Sequence, residues 1–221
     1  MPTSMTLGTH RARVHPIQGL TFALIAILSL WLAFVLLLGA RGNFVSAPGA
    51  PPLPIAIGVL LPVIVFLAAL AMWRPFRELL LNADLALMTG IQAWRFAGLG
   101  FIALYAYGVL PGVFAWPAGL GDIAIGVTAP WIAAALIRHP AFAASRIFAI
   151  WNGFGLLDLI VAVSTGAYAS LSATGAVGEI TTRPMAELPL VLIPAYFVPI
   201  FIMLHIVALA QARRAAKHAV V

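Results

Sequence analysis

Residues 54–73 read PIAIGVLLPVIVFLAALAMW and contain no charged side chain. A helix that crosses the hydrocarbon core of a bilayer needs about 20 predominantly apolar residues. Backbone amides cannot stay unpaired in lipid, so such a segment has to be helical along most of its length. The stretch therefore predicts a transmembrane helix.

The chain contains six long, predominantly apolar runs, at residues 18–40, 54–73, 89–110, 118–137, 146–168 and 189–210. Hydrophobic residues make up 63% of the 221 residues and charged residues 8%, whereas about a quarter of a soluble domain is charged. We expect an all-α integral membrane protein, a six-transmembrane-helix bundle over residues 18–212. The first run exceeds the roughly 7–15 apolar residues of a signal peptide, and we interpret it as an uncleaved span.

The distribution of basic residues predicts the orientation of the bundle. With a cytoplasmic N-terminus, the cytoplasmic segments hold Arg11, Arg13, Arg74, Arg77, Arg138, Arg146, Arg213, Arg214 and Lys217. Only Arg41 and Arg183 fall on the other side. Because cytoplasmic loops carry an excess of Lys and Arg, we expect both termini, with basic tails at 1–17 and 213–221, to be cytoplasmic. Abundant alanine and arginine in place of lysine indicate a bacterial protein of the inner (plasma) membrane.

Two connecting segments have distinct patterns. Residues 74–88 carry leucines on one side and polar residues on the other, which predicts an interfacial amphipathic helix or an extension of the third span. The Pro- and Gly-containing residues 110–117 predict a tight turn before the fourth span.

Asp158 lies near the middle of the fifth predicted span. A charged group there costs at least about 2.5 kcal/mol, and intramembrane acids usually have a function. Helical spacing places Gly155, Ala162 and Thr165 on the same stripe, which suits close helix contact. We expect a protonatable group or cation ligand in a cavity, or an acid that only fixes packing.

Arg95 lies near the cytoplasmic end of the third predicted span, one helical turn after Gln92. A long side chain there can reach the headgroups; alternatively Arg95 points inward and pairs with Asp158 or an anionic group. The predicted boundaries put Asp158 about seven residues deeper, or ~10 Å at the rise of a helix, which argues against direct contact.

Asp122 lies near the external start of the fourth predicted span. An acid in the first turn of a helix is stabilised by the helix dipole, and this account is favoured over a role at the mouth of a transport path. Gly126, Ala129 and Ala133 follow on one stripe with Asp122, so the fourth span is expected to pack centrally.

His205 is the only histidine within a predicted span. Packing through a hydrogen bond is the commoner role of such a residue, and a single histidine argues against a haem with two axial histidines. Asn152, Arg95 and His205 share a similar predicted depth and can form one inner polar cluster. Pro62, Pro194 and Pro199 lie inside spans, where they either kink helices around a substrate site or only shape packing.

Several function classes are excluded. The chain has no cysteine and therefore no disulfide or Cys-ligated metal, and it carries no phosphate-binding loop or hydrolase motif. The net charge of +6 is scattered over loops and tails, so we expect no nucleic-acid partner. No catalytic residue, cofactor or metal site is predicted.

Three functions are compatible with this sequence. The first is a small-molecule or proton-coupled permease, as a homo-oligomer, with Asp158, Arg95, Asn152, His205, Asp122 and Gln92 along the ligand or proton path. The second is a non-catalytic accessory or assembly subunit of a larger membrane complex. The third is a membrane enzyme acting on a lipid or isoprenoid, which would require Asp158 and His205 to reach one substrate atom.

Overall fold

The computed structural model describes residues 16–218, and all regular structure in that range is helical. The helices are α1 (Pro16–Ala40), α2 (Leu53–Met72), α3 (Arg74–Leu81), α4 (Leu85–Ile91), α5 (Leu99–Ala106), α6 (Gly112–Arg138), α7 (Arg146–Leu171) and α8 (Val198–His218). Short 3₁₀ helices occupy Gln92–Gly98, Pro140–Ala144 and Arg183–Ala186, and a π-helical turn, Ile193–Phe197, precedes α8.

Six segments of the described chain are long and apolar enough to cross a membrane: Gly19–Ala40, Leu53–Met72, Leu85–Ala106, Gly112–Arg138, Arg146–Leu171 and Ile193–Lys217. Their outer surfaces carry large exposed apolar side chains, such as Phe22, Leu61 and Ile160. A water-soluble protein would not expose apolar area on this scale. The protein is therefore an all-α, multi-pass membrane protein with six spans, as predicted.

The observed helix ends differ from the predicted ones. The third span begins at Leu85 because the Asp84 carboxylate caps it, accepting a hydrogen bond from the amide of Leu87 at 3.0 Å. The predicted turn through Pro117 is wrong: α6 begins at Gly112, directly after Pro111, and includes Pro117. Pro117 is the sixth residue of α6, so the helix continues past it with the loss of one backbone hydrogen bond, the one that an amide at this position would donate to the carbonyl of Val113.

The amphipathic segment predicted at 74–88 divides into two parts. Residues 74–81 form α3, which packs against α2 and α8, and residues 85–88 belong to the third span. Gln211 on α8 donates hydrogen bonds to the carbonyls of Leu80 and Ala83, at 2.8 and 3.1 Å. The C-terminal segment is helical through His218, while the N-terminal tail before residue 16, with Arg11 and Arg13, lies outside the described residues.

The third to sixth spans form a central group, and the first two spans, α1 and α2, lie at its periphery. α6 packs against α4, the 3₁₀ segment 92–98, α5 and α7, and α8 packs against α7 and α2. α1 contacts the π-helical turn, where Trp31 and Tyr196 meet with ring centroids 4.8 Å apart. We call the end of the bundle with residues 41–52, 107–111 and 172–192 the loop end, and the opposite end the C-terminal end.

A cluster of charged side chains between the central spans

Arg95 is the centre of a polar cluster inside the bundle. It lies on the 3₁₀ segment of the third span and is 2% exposed. A 3₁₀ helix has three residues per turn, so its residues i, i+3 and i+6 share one face. The buried residues of this segment follow that period: Gln92, Arg95 and Gly98. The local helix type therefore aims Arg95 into the bundle, and snorkelling to the headgroups is wrong.

The Arg95 guanidinium forms ion pairs with two carboxylates from different helices. Its Nε donates to Asp122 Oδ1 on α6 at 2.7 Å, and its Nη2 donates to Asp158 Oδ2 on α7. The Asp122 and Asp158 side chains are 15% and 10% exposed. With both carboxyl groups ionised, these three side chains carry one net negative charge.

Two expectations about this cluster are corrected. Asp122 is not in a first helical turn, because α6 begins ten residues earlier at Gly112; its stabilising partner is Arg95. The depth difference that argued against an Arg95–Asp158 contact is also absent. Since the third span begins at Leu85 and α7 at Arg146, Arg95 and Asp158 lie ten and twelve residues from the same end of the bundle.

The remaining donor of Arg95 connects the cluster to His205. Arg95 Nη1 lies 3.1 Å from His205 Nε2 and 3.3 Å from the carbonyl oxygen of Gly155. Arginine only donates hydrogen bonds, so His205 Nε2 has to be the acceptor. Nδ1 then carries the proton and donates to Asn152 Oδ1 at 2.9 Å. His205 is thus a neutral imidazole with both nitrogens engaged.

Two oxygens next to this network lack partners. Gln92 Nε2 donates to the carbonyl oxygen of Phe201 at 3.4 Å, but its Oε1 has no partner, and neither has Thr89 Oγ1. Both residues are buried. A buried polar atom without a partner costs about 1–3 kcal/mol. The two atoms mark the place in the described bundle where the polar network is incomplete.

Glycines allow the helices to approach closely enough for these contacts. A Cβ on Gly126 of α6 would overlap the backbone of Arg95 and Phe96, and a Cβ on Gly155 of α7 would overlap the His205 ring. The predicted small-residue stripe containing Gly126 therefore packs against the helix that carries Arg95. The stripe of Asp158 likewise contains Gly155, which packs against His205 on α8.

A cavity of about 140 Å³ leads from the loop end towards the cluster. Asp122 lines its inner part, and Leu159 and Val198 lie at similar depth. The aromatic rings of Phe101 and Phe114 form one wall. At the mouth, the polar residues Ser46, Ser170, Thr181, Thr182 and Arg183 lie beside apolar residues such as Pro48 and Pro52. A path from the loop end thus reaches the carboxylate of Asp122, which is bonded to Arg95. Asp158, the acid that was expected in a cavity, does not line it.

The sequence-predicted site residues largely converge. Arg95, Asp122, Asp158, Asn152 and His205 form one hydrogen-bonded group. Gln92 lies one 3₁₀ turn from Arg95 but bonds elsewhere.

Sequence reasoning missed other members of the site. Thr89 continues the Gln92–Arg95 stripe, which was the available signal. The rings of Trp151 and Phe201, which contact His205 and Arg95, gave no signal among so many apolar residues. Pro194, within the π-helical turn, lines the cavity, whereas Pro62 does not.

The donor set is unlike a conventional metal site. Across residues 16–218, side chains of His, Asp and Glu do not gather in any group of three. The two carboxylates of the cluster are already bound by a guanidinium. The arrangement is suited to exchanging a proton or a cationic group on Asp122 or Asp158.

Comparison with known proteins identifies a family whose description names no activity. No curated protein and no solved structure matches the chain. A family model matches residues 52–213, which include α2 to α7, most of α8 and every member of the cluster. The chain belongs to the family described as "Domain of unknown function (DUF8737)".

Proposed function

We propose that this protein is a proton-coupled permease for a small molecule, with the Asp122–Arg95–Asp158 cluster as its coupling site. The observation that carries the proposal is the cavity that reaches Asp122 from the loop end. In membrane transporters, substrate sites lie near the midplane and are framed by interrupted helices. Here the third span is interrupted by a 3₁₀ segment and the sixth begins with a π-helical turn.

The charge of the cluster supports coupling. One guanidinium faces two carboxylates, so one further positive charge balances the site. A proton on Asp158 or a cationic group on Asp122 supplies that charge. Binding of either one therefore changes the electrostatic cost of binding the other, which is the requirement for coupled movement.

The cavity does not continue to the opposite end of the bundle, and the separate open pocket at that end is lined by no residue of the charged cluster. Towards the C-terminal end, Leu136, Ala143, Phe148, Ala208 and Ala212 form a buried apolar cluster. Access from one end with closure at the other is what an alternating-access permease requires in one of its states. With the predicted orientation in a bacterial inner membrane, the loop end and the cavity mouth face the outside.

The geometry gives less support to an enzyme. General acid–base catalysis needs a side-chain atom within hydrogen-bond reach of the substrate. Both nitrogens of His205 are engaged by Arg95 and Asn152, and His205 does not line the cavity. The accessory-subunit function has no comparable feature in its favour.

Flux measurements test the coupling. Vesicles reconstituted with the protein and loaded with a pH-sensitive dye receive a panel of amines, amino acids, carboxylates and sugars. We expect at least one solute to drive proton movement, and we expect Asp158→Asn to abolish it. Glu78→Gln is the matched control, because Glu78 is an exposed carboxylate at the C-terminal end. Proton movement in Asp158→Asn equal to that of the wild type would refute the coupling role.

Cysteine labelling tests alternating access without knowledge of the substrate. The natural chain has no cysteine, so a membrane-impermeant thiol reagent reports only introduced positions. Ala162→Cys, next to the cavity, is expected to react from the loop end. Ala208→Cys, which is 3% exposed, is expected to react from the C-terminal end only after a pH gradient is imposed. Absence of that reaction under both directions of the gradient would contradict alternating access.

A further inference from the structure

We infer that the cavity binds a small organic cation, an ammonium group attached to an apolar body of about six to eight non-hydrogen atoms. This inference rests on the proposed function, since it names the substrate class of the same site. It is drawn from three properties of the cavity: the charge at its inner part, the chemistry of its walls and its size.

The charge of the inner part selects a cation. Asp122 lines the cavity, and its cluster with Arg95 and Asp158 has one carboxylate more than it has guanidinium groups. Arg95 and Asp158 are not among the lining residues. An ammonium group that approaches Asp122 can donate to the carboxylate, whereas an anionic group would be repelled by it. Charge-assisted hydrogen bonds of this kind are about twice as strong as neutral ones.

The mouth does not favour an anion either. Arg183 lines the mouth, but its Nε donates to Glu187 Oε1 at 2.9 Å. This pair is exposed and carries no net charge. The remaining polar side chains at the mouth are the hydroxyls of Ser46, Ser170, Thr181 and Thr182. A mouth without net charge lets an organic cation pass to the inner carboxylate.

The walls select an apolar body. Phe101, Phe114, Leu159, Val163 and Ile193 line the space between the mouth and Asp122. They offer no side-chain hydrogen-bond partner for a sugar or a peptide, and each buried polar atom left unpaired costs about 1–3 kcal/mol. A hydrocarbon group has no hydrogen bonds to lose there, and its binding removes apolar surface from water.

The volume limits the size of the body. The cavity measures about 140 Å³, close to the engineered apolar cavity of roughly 150 Å³ that accommodates benzene. An aromatic or aliphatic group of that size fills the space between the walls, with its ammonium group directed to Asp122. Benzylammonium has these features and serves as the probe.

Equilibrium binding to the full-length protein in lipid nanodiscs tests the inference. Benzylammonium chloride is compared with benzyl alcohol, its neutral analogue, and with benzoate, by calorimetry at pH 7. We expect benzylammonium to bind about tenfold or more tightly than benzyl alcohol, and benzoate to bind least. Asp122→Asn should remove the preference for benzylammonium, and Ala162→Phe, which narrows the cavity, should weaken both ligands. Glu78→Gln should change neither.

The outcomes separate this inference from the proposed function. Equal binding of benzylammonium and benzyl alcohol to the wild type, or tighter binding of benzoate, would overturn the inference even if no variant folds. Proton-coupled flux of a different solute, without ammonium selectivity in binding, would also overturn the inference but would agree with the proposed permease function. Selective ammonium binding without any proton movement would instead refute the proposed function and leave the binding site.

Discussion

Replacing Arg95 with methionine should destabilise the protein far more than replacing Asp158 with asparagine. Arg95→Met leaves two carboxylates, each at most 15% exposed, without a cation, and it removes the donor to His205 Nε2. Removing one partner of a buried ion pair costs about 3–5 kcal/mol. Asp158→Asn leaves one guanidinium with one carboxylate and retains an oxygen for Arg95 Nη2, so the expected cost is about 1 kcal/mol.

The free energy of unfolding, measured by SDS titration in mixed micelles, distinguishes the two variants. The triple variant Arg95→Met, Asp122→Asn, Asp158→Asn carries no charge at the cluster and should recover most of the stability lost in Arg95→Met, because the cost comes mainly from uncompensated charge. Glu78→Gln, at an exposed and remote carboxylate, should change stability by less than about 0.5 kcal/mol. An Arg95→Met variant as stable as Asp158→Asn would show that the cluster is not held together by these ion pairs.

Gly126→Ala should destabilise the bundle by about 1–3 kcal/mol in the same titration, since overpacking against the backbone of Arg95 forces helices apart. Gly153→Ala, at an open position, should be neutral or stabilising. Equal effects of the two substitutions on the free energy of unfolding would contradict the close helix contact. Thr89→Val should stabilise the protein by about 1 kcal/mol, because the Thr89 hydroxyl has no partner, and a loss of stability would instead reveal an internal water bound there. The backbone amide of Thr174 donates to Glu179 and holds the pKa of that carboxyl below its usual range, so the stabilisation of the loop is present above the ordinary pKa of a glutamate and lost as pH falls through the lowered value. Hydrogen exchange at Thr174 should therefore accelerate in acid beyond the intrinsic rate, and Glu179→Gln should abolish this extra pH dependence.

The polar residues of the site could be found from the sequence, but their contacts could not. A charged or amide side chain inside an apolar run is conspicuous, which is why Asp158, Arg95 and Asn152 were identified. Which of them touch depends on depth and on helix rotation. The predicted start of the third span was four residues late, and the 3₁₀ geometry of residues 92–98 was not anticipated. These two errors together placed Arg95 too near the headgroups.

Asp122 illustrates the same limit. A proline-containing segment before it suggested a turn, and a turn would have placed the carboxylate at a helix end. Only three-dimensional packing shows that α6 continues through Pro117 and that Asp122 faces Arg95. The local signal for a helix start was present at Pro111, and the second proline obscured it.

The amino-acid sequence alone determines that the protein resides in a membrane and has six helical spans. A backbone surrounded by lipid has to satisfy its hydrogen bonds within each apolar run. The sequence does not determine the charged cluster or the cavity, which depend on the tertiary structure. Arg95 meets partners 27, 63 and 110 residues further along the chain, and that meeting depends on helices that pack through Gly126 and Gly155. Contacts between distant segments are set by the shapes of facing surfaces, which no local pattern contains.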